Sequence, residues 1–214
     1  MRKKSKFKIY LPFTLNVFQR LLSYRGSVLM FFFGECMVLA VTYYLWRAIY
    51  GSSSTSIIEG FTLNQMIIYV LISFLTTLMT SADVTYEISN EVRNGSIGIN
   101  LIRPVSYEMR MFFQGLGNLM YNFIVIFILA FSLINLLFYS YEGSLRLGNI
   151  LLYLFSIILG FIINFYYSYA FGLMSFKITN MWGMAQIMSS IARLLSGGLI
   201  PIVFFPKVIQ NGMR

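Results

Sequence analysis

The chain has 214 residues, 58% of them apolar and only 11% charged, with a mean hydropathy of +0.74. An ordinary globular domain is about a quarter charged, so a water-soluble fold is excluded, and the length holds one membrane domain of about five or six spans. The net charge of +9 raises nucleic acid as a partner, but the basic residues are grouped as a topology signal and no nucleic-acid partner is expected; with no His and a single Cys, Cys36, there is no His/Cys metal site and no intrachain disulfide.

Residues 1–26 are basic: Arg2, Lys3, Lys4, Lys6, Lys8, Arg20 and Arg25 all precede the first apolar run. Within this segment Leu11, Leu15, Phe18 and Leu22 recur at helical spacing with Val17 and Leu21 beside them, while Asn16, Gln19, Arg20 and Ser23 face away and Pro12 suits a first helical turn. The pattern predicts an amphipathic helix in the inner membrane interface, drawn to anionic lipid, with a partner-docking helix as the alternative.

Residues 28–46 are too long for a signal-peptide core and end in Tyr43, Tyr44 and Trp46 without a cleavage site, so they predict a retained first span. Glu35 lies inside it; an unpaired charge at such depth costs about 2.5–3.5 kcal/mol, so it needs a partner, a cavity or water. Residues 51–56 read as a plain flexible connection. Further spans are predicted at 63–82, 116–138, 150–171 and 181–199, each near the 20 or so residues that cross a bilayer. With the N-terminus in the cytoplasm, the inner segments 1–26, 83–115 and 172–180 hold 11 Lys and Arg and the outer ones 4, which supports that sidedness.

The inner loop contains YEISNEVRNGSIGINLIRPVSYEMR, residues 86–110. Glu87 and Glu91 are one turn apart, Val84, Ile88 and Val92 line another face, Asn94-Gly95 supplies a helix stop, and Pro104 fixes a turn. Paired carboxylates could do acid–base work, but nothing in the loop desolvates them, so a solvated or protein-docking face is expected.

In the fourth span Ser156, Gly160, Asn164, Ser168 and Gly172 repeat every four residues and predict a packing seam in which backbones approach closely and Asn164 bonds across the contact. A substrate-lining Asn164 is the alternative. Arg193 sits within the fifth span, and a Glu35–Arg193 pair, a substrate-facing charge or structural contacts with neighbouring helices are all open for it. Gly197, Gly198, Pro201 and Pro206 break the helix while the sequence stays apolar, predicting an outer re-entrant segment at 196–206.

The acidic helix, Gly-Ser, apolar stretch and Arg-Pro-Val-Ser of residues 86–106 resemble the loop between the second and third spans of ABC-2 type ABC transporter permeases. WRAIYGSS (46–53), GFTLNQMIIYVL (60–71) and SFKITNMWGMAQIMSSIARLLSGGLIPIVFFP (175–206) are similar to the branch once catalogued as a family of unknown function. The resemblance implies an all-α polytopic bundle filling residues 1–214 and a role as permease subunit of a bacterial exporter. It further implies a second permease, identical or paralogous, and a separate cytoplasmic ATPase that binds ATP and Mg. The inner loop is then the coupling helix, with Glu87, Glu91, Arg93, Gly95, Arg103 and Pro104 in or beside the ATPase groove. The chain has no Gly-Lys-Ser or Gly-Lys-Thr, so no cofactor and no hydrolysis of its own are expected. Six spans are usual in that family; the chain is expected to lack the sixth. A non-transporting membrane scaffold, insertase-like or immunity-type, is the alternative function.

Overall fold

The computed structural model describes residues 7–82, 84–127, 147–178, 181–198 and 200–207. In chain order the helices are α1 (Phe7–Ser23), α2 (Arg25–Ser52), α3 (Leu63–Thr80), α4 (Val84–Arg93), α5 (Ser96–Leu101), α6 (Tyr107–Tyr121), α7 (Leu147–Leu173) and α8 (Trp182–Leu195), with a hairpin of β1 (Ile57–Ile58) and β2 (Phe61–Thr62) before α3. The fold is an all-α membrane bundle. Three stretches are long and apolar enough to cross a membrane, Gly26–Ser52, Leu63–Arg93 and Gly148–Phe176, and the first, second and fourth predicted spans fall on them.

The other two predicted spans differ. The helix of the third begins at Tyr107, well before residue 116, and passes at Asn122–Phe127 into a π-helix; residues 128–138 lie outside the described residues. The fifth, expected at 181–199, is a helix of 14 residues, about 21 Å long at 1.5 Å per residue. It stops because Gly197 takes φ +77° and closes a Schellman turn, Gly198 N–H donating to the Arg193 carbonyl at 3.0 Å and Gly197 N–H to that of Leu194 at 3.2 Å.

The chain divides into two compact units, residues 1–23 with 78–187 and residues 24–77 with 188–214. In the first, α1 lies along α6. Thr14 and Val17 are its buried residues, and a Cβ on Gly117 would meet the Thr14 carbonyl oxygen at 2.7 Å and Val17 Cβ at 2.9 Å, so the two backbones touch where only glycine fits. Thr14 Oγ1 donates to the Phe113 carbonyl at 2.7 Å, Tyr10 stacks on Phe113 and Phe18 meets Tyr121 edge-on. Leu11, Leu15 and Leu22 stay exposed. The predicted apolar stripe is thus split: Phe18 and Val17 serve α6, and the leucines are left open. Pro12 stands inside the helix and not in its first turn, where it removes one main-chain hydrogen bond.

The core of this unit is Ala82, Val84, Ile88, Ile97, Met111, Phe161 and Phe165. Polar side chains fasten its helices to one another through main-chain carbonyls: Asn122 Nδ2 to Leu78 at 2.8 Å, Asn164 Nδ2 to Thr80 at 2.7 Å, and Thr85 Oγ1 to Ser168 at 2.7 Å. Each satisfies a donor that would be costly to leave unpaired in an apolar interior.

In the second unit, α3 opens with a capping box. Thr62 N–H donates to Gln65 Oε1 at 3.0 Å, and Gln65 N–H to Thr62 Oγ1 at 3.4 Å. The hairpin before it turns at Glu59 and Gly60, both with positive φ, and Tyr50 Oη donates to the Phe61 carbonyl at 2.8 Å. After α8, Tyr69 Oη donates to the Gly197 carbonyl at 2.7 Å and Phe204 packs against Trp46 with ring centres 5.5 Å apart.

Candidate functional site

The segment from α4 to the start of α6 holds the residues the sequence singles out. Val84, Thr85, Ile88 and Ser89 are the buried face of α4, seated on α7 where Gly172 leaves room. A Cβ there would fall 2.7 Å from Ile88 Cδ1 and 3.3 Å from Thr85 Cα. α4 ends at Asn94-Gly95, where Gly95 takes φ +71° and turns the chain into α5.

Glu91 corrects the expectation of a solvated acidic face. It follows Val84 and Ile88 at i+7 and i+3, so it falls on the inward stripe, and the structure uses it there. Arg110 Nη2 donates to Glu91 Oε1 at 2.7 Å, with side-chain exposures of 7% for the arginine and 19% for the glutamate. Tyr107 Oη donates to Glu91 Oε2 at 2.9 Å, and the Arg110 guanidinium lies 5.0 Å from the Tyr107 ring centre. Burial, and then the bond to and charge of Glu91, push the Tyr107 phenol well above its ordinary value, with Arg110 opposing. Glu91, Arg110 and Tyr107 therefore form a clasp that ties α4 to α6. The sequence contains the signal for it: a Glu at the edge of the apolar stripe, and an Arg four residues after the helix-capping Ser106.

The remaining loop residues lie outward. Arg93 is exposed and donates to Asn90 Oδ1 at 3.0 Å, Glu87 is partly buried, and Arg103 and Pro104 are exposed. Between them α5 buries Ile97 but leaves Ile99 and Leu101 open, and Ile102, directly after its end, is 83% exposed. The tip is therefore apolar with Arg93 and Arg103 beside it in sequence, a composition suited to a protein surface and unsuited to acid–base chemistry. Sequence reasoning missed these isoleucines, since apolar residues in a short loop helix read as core.

Of the four-residue row in α7, four members meet α3 or α4: Gly160 at Thr80, Asn164 at the Thr80 carbonyl, Ser168 through its carbonyl at Thr85, and Gly172 at Ile88. Ser156 does not join them; it is exposed and its hydroxyl donates to the Tyr153 carbonyl of its own helix. Glu35 and Arg193 are not brought together: Glu35 is partly buried, Arg193 is exposed, and no ion pair joins them among the described residues. Gly197 and Pro201 are buried, while Gly198 is partly buried and Pro206 exposed.

A family model described as ABC-2 family transporter protein matches residues 36–214. No curated protein and no solved structure matches the chain.

Proposed function

The chain belongs to the ABC-2 transporter family, and on that premise we propose that it is the membrane-spanning subunit of an ATP-driven exporter in a bacterial cytoplasmic membrane. Its N-terminus is cytoplasmic, a second permease, identical or paralogous, completes the path, and a separate cytoplasmic ATPase binds ATP and Mg and docks on the α4–α5 tip. The observation that carries the docking is the exposed Ile99, Leu101 and Ile102 with Arg93, Arg103 and Pro104 around them, at and just past α5, which follows directly on α4, the helix held to α6 by the Glu91 clasp. A contact surface needs an apolar centre with a polar surround, and a handle fixed to a span converts closure of the ATPase pair into rigid-body movement. In this reading Glu87 and Arg93 lie at the contact, Gly95 shapes it, and Glu91 positions it.

The test is affinity purification of the full chain from its native membranes, with peptide identification and ATP hydrolysis as readouts. A co-purifying ATPase, and loss of most hydrolysis in an Ile102→Asp, Arg103→Glu variant that still inserts, are expected. A chain that purifies with no ATPase, or a variant with unchanged hydrolysis, overturns the proposal; the first result favours a non-transporting scaffold.

A further inference from the structure

Within the second unit, α2 and α3 flank a cleft of about 380 Å³ walled by Leu39, Tyr43 and Trp46 on one side and Ile67, Val70 and Leu71 on the other. This is within the roughly 300–1,000 Å³ of small-molecule sites, which combine apolar walls with a few placed polar groups. Trp46 is a fixed wall, nearly fully buried and packed on Tyr50 and Phe204.

Glu35 precedes Leu39 by one helical turn and Trp46 by three, so it lies on the same stripe of α2, about 6 Å from the Leu39 end of the cleft along the helix. It is partly buried, whereas Phe33, Gly34, Cys36 and Met37 around it are exposed. It has no hydrogen-bond or ion-pair partner among the described residues. A hydrocarbon chain of a lipid would be served by the apolar wall alone and would leave this carboxylate uncompensated. An anion would be repelled. A cation carried on an apolar body offsets the charge at Glu35 and lays that body along the cleft wall past Leu39 toward Tyr43 and Trp46.

We propose that the cleft binds a lipophilic monocation, an organic amine or onium ion with an aromatic or hydrocarbon body, with its charge at Glu35 and its body against Tyr43 and Trp46. This rests on the transport reading and names the substrate class.

The test uses the full chain in nanodiscs of neutral phospholipid, carrying Trp182→Phe so that Trp46 is the sole tryptophan, since the sequence has two. A trimethylammonium ion carrying a terminally brominated undecyl chain, long enough to set its charge at Glu35 and its quenching bromine near Trp46, is titrated against Trp46 emission, with the brominated undecanol of the same chain as its uncharged counterpart. Saturable quenching by the cation is expected, weakened about tenfold or more in Glu35→Gln and kept in Glu35→Asp, while the neutral probe binds both variants as it binds the parent. Equal cation affinity in Glu35→Gln, or equal weakening of the neutral probe, overturns the charge assignment. Absence of saturable quenching by either probe overturns the cleft. No ATPase or second permease is needed, so a chain that binds the cation but purifies without an ATPase refutes the transport reading alone, and a coupled exporter that fails to bind it refutes this one alone.

Discussion

Replacing Glu91 with Gln isolates the charge of the clasp. The amide keeps the shape and still accepts from Tyr107, but Arg110, 7% exposed, is left without a countercharge. Removing one partner of a fully buried pair costs about 3–5 kcal/mol, and a hydrogen bond to a charged group is worth about 1.5–3. Because Glu91 itself is 19% exposed, water reaches the site and the lower figure applies, near 2 kcal/mol. For a chain of this size that lowers the unfolding midpoint by roughly 4–8 °C. Arg110→Met alone is milder, since the partly exposed carboxylate left behind can turn to water. The double variant, having neither charge, regains most of the loss. The assay is the fraction of each protein surviving as a monodisperse species after heating in detergent. A Glu91→Gln midpoint equal to wild type, or a double variant equal to the sum of the singles, refutes the clasp.

Gly117→Ala drives a methyl into the Thr14 carbonyl, 2.7 Å from its Cβ, and should destabilise by about 1–3 kcal/mol and open residues 7–23 to protease; protection equal to wild type counts against the close contact. Gly172→Leu collides with Ile88 and Thr85, whereas Gly160→Leu meets only the Thr80 methyl at 3.2 Å, so detergent stability should fall much further for the first than for the second, and the reverse order contradicts the seam. The phenol of Tyr107 is raised above its ordinary value near 10; its stabilisation is therefore complete below pH 10 and lost as pH rises through the folded value. Between pH 8 and pH 11 the melting temperature should drop less in Tyr107→Phe than in wild type, and equal drops would show that the phenol is not linked to folding.

The helices that span were legible because twenty apolar residues in a row have few other destinations, and the α4 stop was legible because Asn94-Gly95 offers a left-handed residue where the stripe ends. Glu91 was misplaced because local pattern reading groups acids by charge, whereas Arg110, nineteen positions away, decides where this one points. The α1 contact was missed for a similar reason: it is built on Thr14 and Gly117, residues with little hydrophobic signal, whose value is a hydroxyl and an absent Cβ. The hairpin at residues 57–62 left no mark in the sequence pattern because its turn uses Glu59 at positive φ, a conformation that pattern assigns to Gly, Asn or Asp. The stop of α8 was legible in Gly197 and Gly198, while its expected extent, to residue 199, ran a few residues past Leu195 because the apolar composition continues beyond the capping glycine.

The four joints made by Thr14, Thr85, Asn122 and Asn164 share one asymmetry: each donor is a side chain, and each acceptor is a main-chain carbonyl. A carbonyl is supplied by every amino acid. Mutation at Leu78, Thr80, Phe113 or Ser168 therefore leaves the acceptor in place, whatever else it alters, while mutation of any donor to an apolar residue removes the tie outright. Half of each joint is encoded and half comes with the polymer, so on this account drift through the bundle is restricted at the donor positions and tolerated at the acceptors.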